Sequence, residues 1–342
     1  IGRRFESFRA HHLFNDLARF TIAEFSYVPN FLPRLRCRVF VPHGLTITGE
    51  IVMPVMTNSS QSYERSKRTP VHQLIDLDQY PIHDLDSDSG RDLVSNCQRS
   101  LADTAGALLP DFVRPDALSR MATEAEQLVE VSHRYDRPRE AFLGHPRYGD
   151  GDLDEFGDLK KRLHDNRYNQ ILNYQIPNDS DLRALYLWPD LTEFVRRVLN
   201  RDNLFPSQCP HLALTMKIAF EGDQDGWHYD PNDGVVTLQL QTPDGGGVFE
   251  YAPYIRSDAN ENYQGVARLF DSPDTEATRL RPAAGTFMIF NGSRSMHRVR
   301  QVERTQCPRV VAIFSYDGNP DMVFSQSYVD LVRSFPRGRP QG

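Results

Sequence analysis

Two stretches of the chain hold side chains that could bind a metal. In "GWHYDPNDG", residues 226–234, His228 and Asp230 stand two apart. On an extended strand, residues i and i+2 point to the same side, so an imidazole and a carboxylate can turn inward together. In "AAGTFMIFNGSRSMHRVRQV" a strand pattern over residues 286–290 runs into a turn at Asn291 and Gly292, and His297 follows at the start of the next strand. Two imidazoles and one carboxylate form a ligand set for iron(II), with about three coordination positions left open. A third piece lies in "CPRVVAIFSYD". There Arg309 stands twelve residues after His297, on a run of β-branched and aromatic residues. A guanidinium inside such a run costs free energy unless paired, and a bidentate carboxylate ligand would remove that cost.

These residues need strands to position them, and the same period of two nominates their neighbours. If Arg309 faces a cavity, Val311, Ile313 and Ser315 share its side, and Ile313 and Ser315 are candidates to border a substrate. Thr237, Gln239 and Gln241 alternate with Val236, Leu238 and Leu240, so one of these faces lines the interior. Asp225 and Asn232 flank the metal motif and could reach an ammonium group. Thr215 and Lys217, in "LTMKIAF", are candidates to help bind a co-substrate. Trp227 and Tyr229 are read as core aromatics on the outer side.

The surrounding pattern supplies such strands. After residue 205 the chain reads as short β-rich runs between turns: "HLALTMKIAF", "GVVTLQLQT", "GGVFEYAPYI", "ATRLRPAAG", "TFMIFNG" and "RVVAIFSYD". Before that, "RPDALSRMATEAEQLVEV" and "DLTEFVRRVLN" carry apolar residues at helical spacing, and Pro115 suits a first helical turn. Between them "FLGHPRYGDGDLDEFGDLKK" reads as a long Gly- and Asp-rich loop; its acids lack the order of an EF-hand calcium loop. Helices followed by many strands predict an α+β fold with a jelly-roll core. The expected organisation is an extension over residues 1–69, a mainly helical region over 70–204 and a β core over 205–342, the last two forming one domain.

Composition narrows the function classes. The chain has 342 residues, 39% hydrophobic and 25% charged, which supports a sizeable core. A formal charge of -7 gives no reason to expect nucleic acid as partner. No apolar run approaches the roughly 20 residues that span a bilayer. The four scattered cysteines, Cys37, Cys97, Cys209 and Cys307, form no zinc pattern and read as free thiols of a reducing compartment, so a cytoplasmic location is expected. Residues 1–69 carry ten basic against five acidic side chains, unlike the rest of the chain. A small-molecule substrate and a monomer or homodimer are expected.

The order of HxD, a distal His and then an Arg resembles the Fe(II)/2-oxoglutarate-dependent oxygenase superfamily. More specifically, "WHYDPNDGVVTLQLQTPDGGGVFEY", "IRSDANENYQGVARLF", "AAGTFMIFNGSRSMHRVRQV", "RVVAIFSYDGNPDMVFS" and "NYQIPNDSDLRALYLWPDLTEFVRRVL" are similar to the family of free-amino-acid hydroxylases and radical halogenases. The resemblance covers about residues 70–335. It implies a double-stranded β-helix, with His228, Asp230 and His297 on iron and Arg309 on the C5 carboxylate of 2-oxoglutarate. It also implies O2 as second co-substrate. The halogenases replace the carboxylate ligand with a small residue so that chloride can bind; this chain keeps Asp230, which favours oxygen chemistry. The gap from His297 to Arg309 is longer than is common, which leaves Arg298, Arg300 and Arg304 as alternates. The expected reaction is oxidation of an unactivated C–H bond of a small amino acid or derivative, by hydroxylation, desaturation or ring closure such as aziridine formation. The alternatives are an oxygenase of a peptide or natural-product intermediate, and a β-helix protein that binds a ligand without catalysis.

Overall fold

Val236, Leu238 and Leu240 are almost fully buried in one large apolar core, whereas Thr237, Gln239 and Gln241 point to the other side of their strand. That division recurs along the sheet and fixes the architecture. The structure, a computed structural model, describes residues 69–142, 156–231 and 235–340, together with the backbone of three strands nearer the start. The chain divides into two units, residues 1–67 and 68–342. In the first, β1 (Thr21–Ile22), β2 (Arg34–Phe40) and β3 (Thr46–Val52) pair antiparallel in that order.

The second unit opens with α1 (Asp88–Thr104), β4 (Gly106–Leu109), α2 (Pro115–Gln127), β5 (His133–Asp136) and β6 (Arg139–Glu140). It continues through α3 (Gly157–Lys160), β7 (Leu163–His164), β8 (Arg167–Ile171), α4 (Asp181–Tyr186), α5 (Pro189–Val198) and β9 (Phe205–Pro206). Then follow β10 (Leu214–Ala219), β11 (Asp225–His228), β12 (Val235–Gln241), β13 (Phe249–Ala252), α6 (Tyr263–Asp271), α7 (Pro273–Glu276) and β14 (Thr278–Leu280). The last elements are β15 (Phe287–Phe290), β16 (Met296–Val299), β17 (Arg309–Asp317) and α8 (Gln326–Ser334).

The larger sheet has the order β4-β15-β12-β17-β10-β8-β5, with β9 on the end of β17; the smaller has the order β11-β16-β13-β14. All pairings are antiparallel. From β10 to β13, and again from β15 to β17, successive strands alternate between the sheets. This is an α+β fold with a double-stranded β-helix core. The stretch over 70–204 is more than a helical layer, because β4, β5 and β8 extend the larger sheet on both flanks.

Two apolar cores sandwich the β-helix. On the outer face of the larger sheet, Leu214, Met216, Ile218, Ala312 and Phe314 pack against α1, α2, α4 and α5. Fully burying a side chain of this kind contributes roughly 1.5–3 kcal/mol, so this layer carries much of the stability. Pro115 does start α2, and the side chain of Ser87 accepts from the Gly90 backbone to cap α1. On the outer face of the smaller sheet, Trp227, Tyr229 and Met296 pack against Val266, Leu269 and Phe270 of α6. The inward faces of both sheets therefore remain for polar work. In the long Gly- and Asp-rich loop, residues 143–155 lie outside the described residues, and α3 occupies its end. Among the described residues no helix is long and apolar enough to cross a membrane.

Candidate metal centre

His228 ends β11, and its register partner across the smaller sheet is His297 on β16. The two rings stand 4.1 Å apart between centroids. Asp230 follows two residues after His228, and its backbone donates to the Gly292 carbonyl at 3.1 Å. The chain so anchored brings its carboxylate to 3.5 Å from Nε2 of His297 and 3.9 Å from Nε2 of His228. One donor atom from each of the three residues lies within 4.8 Å of the others, the separation of groups sharing one ion.

The ring orientations are set from behind. Nδ1 of His228 lies 2.7 Å from the Gly226 carbonyl, and Nδ1 of His297 lies 2.9 Å from the Ser295 carbonyl. A backbone carbonyl can only accept, so each Nδ1 carries a proton, which leaves Nε2 of each ring, on the side of Asp230, as the atom available to a metal. This is the outer-shell arrangement that orients histidine ligands. Gly226 is required here, because a Cβ would come within 2.8 Å of the Asp165 carbonyl oxygen. Gly292 is required too, because a Cβ would lie 1.9 Å from Oδ2 of Asp230. Phe249 and Phe290 wall the His297 ring, with centroids at 5.6 and 5.1 Å.

Electrostatics favour the forms that ligate. Burial drives His228 well below the ordinary histidine range, with Arg139 and His297 adding to the effect, so its ring is neutral near pH 7. Burial pushes the Asp230 carboxyl up, but His297 and His228 outweigh it and hold the group below its ordinary value. A carboxylate and two inward-turned imidazole Nε2 atoms fit Fe(II), and the donor set leaves coordination positions for other ligands.

Deeper in the β-helix, Arg309 lies on the inward face of β17, only 9% exposed. It stands opposite Ala219 on β10, so no large side chain crowds it from that strand. Among the described residues its guanidinium has no ion-pair or hydrogen-bond partner. Burial pushes its pKa down to about 10, with Asp225 opposing, which still leaves it protonated. A buried, charged, unsatisfied fork fits an incoming carboxylate. Arg298 and Arg300 go elsewhere: both donate to Glu250 on the outer face of the smaller sheet.

The other sequence candidates fall into rows on the same inward face. Thr215, Ile313 and Thr237 form one row, and Lys217, Val311 and Gln239 the next. Ser315 hydrogen-bonds the Leu212 carbonyl at 3.3 Å. Lys217 and Asp225 are bound to each other: the ammonium donates to Oδ2 of Asp225 and sits 4.4 Å from the Tyr168 ring centre. Asn232 lies outside the described residues. Sequence reasoning did not single out Arg139, whose guanidinium reaches Oδ1 of Asp225 at 3.3 Å. Nothing in "HRYDRPREAF" separates it from Arg134 and Arg137; the pairing of β6 with β7 beside β11 brings it to Asp225.

With this geometry in hand, comparison with known proteins is decisive at the level of family. A family model described as Halogenase D matches residues 89–330. The chain belongs to the Halogenase D family. This agrees with the resemblance to the Fe(II)/2-oxoglutarate-dependent oxygenase superfamily drawn from the order of its motifs. No curated protein matches the sequence. Solved structures are similar at low identity. An oxidoreductase of the 2OG-Fe(II) oxygenase family from Burkholderia pseudomallei is 18% identical, with TM-score 0.42, over 66% of this chain and 91% of that one. AviO1 from Streptomyces viridochromogenes Tue57 is 14% identical, with TM-score 0.45, over 66% and 95%. EctD from S. alaskensis, solved with 2-oxoglutarate and 5-hydroxyectoine, is 15% identical, with TM-score 0.40, over 65% and 74%. This chain carries a carboxylate, Asp230, two residues after His228.

Proposed function

We propose that this protein oxidises an unactivated C–H bond of a small amino acid or amino-acid derivative, by hydroxylation, or by desaturation or ring closure such as aziridine formation. The observation that carries the reading is the convergence of His228, Asp230 and His297, with the carboxylate retained among them. In this reading His228, Asp230 and His297 hold Fe(II). Arg309 takes the distal carboxylate of 2-oxoglutarate, with Thr215 and Lys217 beside it. When bound, the metal supplies activation of O2 coupled to decarboxylation of the co-substrate.

The chain's own residues do the rest. The Ser295 and Gly226 carbonyls hold the imidazoles in the ligating tautomer. Phe249 and Phe290 exclude water from the side of His297, which strengthens every charge interaction inside. Asp230 occupies the space above Gly292, so a halide has no vacant position of the kind a small residue would leave. Oxygen chemistry rather than halogenation follows, despite the family's name.

The test is iron-dependent conversion of 2-oxoglutarate to succinate across a panel of free amino acids, with products read by mass spectrometry. The expected product has gained one oxygen or lost two hydrogens. His228→Ala and His297→Ala are expected to lose turnover and iron binding together. Full turnover by His228→Ala would sink the assignment, and a chlorinated product in the presence of chloride would sink the choice of oxygen chemistry.

A further inference from the structure

The His228 ring is aimed by the Gly226 carbonyl, 2.7 Å from its Nδ1. Glycine is the most permissive residue of the backbone, so this carbonyl keeps its direction only if the chain around it is held. Regular strand pairing does not hold it. Between Asp225 and His228, β11 takes three residue steps where β16 takes two, from Val299 to His297, so the ladder bulges where Gly226 lies. A bulge re-aims a side chain by taking one residue out of the pairing, and the polar groups it frees need partners elsewhere.

Asn166 supplies the partner. Its side chain is buried, and Oδ1 accepts from the Gly226 N–H at 2.9 Å. Its Nδ2 donates to the His164 carbonyl at 3.0 Å. A backbone N–H only donates and a carbonyl only accepts, so the two partners fix which way the amide faces. The same turn boxes the glycine from the side: a Cβ at position 226 would lie 2.7 Å from Cβ of His164 and 2.8 Å from the Asp165 carbonyl oxygen.

The turn is itself tied down on both sides. The Asn166 carbonyl accepts from the Arg137 N–H at 3.1 Å. Arg167 exchanges backbone hydrogen bonds with Gln224 at 2.8 and 3.0 Å, which sets the start of β8, in the larger sheet, against the residue before β11, in the smaller. A chain of contacts therefore runs from Asn166 to the Gly226 N–H, across the boxed glycine to its carbonyl, and on to Nδ1 of His228. The other imidazole is held separately. His297 leans on the Ser295 carbonyl, and the Ser295 hydroxyl accepts from the Tyr254 N–H at 3.1 Å.

We infer that Asn166 is a positioning residue for the metal centre: through Gly226 it holds His228, and not His297, in the tautomer and orientation that ligate. The inference rests on the metal assignment made above and adds what keeps one of the three ligands in place. Because the supports of the two imidazoles do not share a residue, loss of Asn166 disturbs one ring and spares the other.

The experiment reads each imidazole separately, with cobalt(II) as the probe ion. An imidazole that ligates through Nε2 keeps a proton on Nδ1. Beside cobalt(II) that proton gives its own paramagnetically shifted NMR signal, which disappears in D2O. Wild type is expected to show two such signals, one from His228 and one from His297. Asn166→Ala is expected to keep one and lose or displace the other, and to bind cobalt(II) roughly 10–100-fold more weakly in competition with a coloured chelator. Asn166→Asp keeps an oxygen for the Gly226 N–H, and is expected to keep both signals and most of the affinity, although it gives up the bond to His164. Urea unfolding of the metal-free proteins separates positioning from bulk stability. A lower midpoint in Asn166→Ala with both signals and the affinity unchanged shows a structural residue and overturns the inference. Loss of both signals in folded Asn166→Ala overturns it as well, since the disturbance is then not confined to His228. Should Asn166→Ala fail to fold, Asn166→Leu, which fills a similar space without an acceptor, carries the same expectations; failure of both to fold counts against the inference. If wild type itself binds no cobalt(II) or shows no exchangeable shifted signal, the metal assignment falls; two signals in wild type and an unchanged Asn166→Ala defeat the inference alone.

Discussion

Asp230 shows how little space separates a working ligand from a displaced one. A methyl group at position 292 would lie 1.9 Å from its Oδ2, inside any allowed contact, and 2.6 Å from its carboxyl carbon. Gly292→Ala is therefore expected to rotate the carboxylate away while leaving both imidazoles on their backbone carbonyls. Losses of the size seen for disturbed outer-shell partners, roughly 10–100-fold in metal affinity, are expected. Competition with a coloured chelator would measure this, and an unchanged affinity would mean that Asp230 does not ligate. The residue scale is also where the sequence was most informative. His228 and Asp230 were legible because strand alternation is local, and His297 because a turn and a strand start frame it. Arg139 was not legible. Its burial depends on β6 and β7 folding over the Asp225 end of β11, a contact with no local signature.

At the scale of elements, the two ligand strands need support from behind, and the outer face of the smaller sheet provides it. Glu250 on β13 is fully buried, and its carboxylate accepts from Arg298 on β16, Arg279 on β14 and Arg300 just past β16, at 2.7, 2.9 and 3.4 Å. Arg298 in turn lies over the Trp227 ring of β11 at 4.6 Å, so one charged cluster ties together the strands bearing His228 and His297. Glu250→Gln removes the charge that all three cations share. The arginines are partly exposed and can turn to water, so the expected loss is about 2 kcal/mol, the range for hydrogen bonds to charged groups. Arg300→Gln deletes two long, half-exposed contacts, to Glu250 and Asp274 at 3.4 Å each, and is expected to cost less than about 1 kcal/mol. Urea unfolding of both variants tests the ranking, and equal losses would show that Glu250 is not the hub. The strands of this cluster were legible as β-runs; the hub was not, because a lone Glu in "FEYA" gives no sign of its partners. Likewise α2 and α5 showed their apolar stripes. α1 did not, since among its seventeen residues only Gly90, Cys97 and Leu101 are buried.

At the scale of the whole molecule, burial of histidines sets how the fold meets acid. His164 packs edge-on against Phe270 with ring centroids 4.5 Å apart, and its Nε2 is buried without a partner among the described residues. Burial, reinforced by Arg162, Arg298 and Arg139, drives its pKa down to about 4. His133 and His228 are also pushed down, in both cases chiefly by burial. In the unfolded chain a histidine titrates near pH 6.5. Above that value neither state binds the proton, and these groups leave stability unchanged. As the pH falls below about 6.5, the unfolded chain takes protons that the fold refuses, so stability is lost. For His164 the loss levels off near pH 4, where the folded ring protonates as well. The paired carboxylates act lower: Glu193, held down to about 2 by Arg196 and Arg197 against the opposing effect of burial, loses its contribution only as the pH falls from about 4.5 towards 2. Glu124 is raised by burial and acts in the opposite sense, adding stability as the pH falls. The interval from pH 7.5 to 5 spans the histidine range, and the difference between wild type and a histidine variant across it isolates that histidine. With chelator present throughout, so that metal occupancy does not vary, the urea midpoint of wild type is expected to drop across that interval. His164→Gln, which keeps a polar side chain but cannot titrate, is expected to drop less, by the share that His164 contributes. If the two proteins fall in parallel, His164 is protonated as readily in the fold as out of it, and its packing against Phe270 does not exclude the charge.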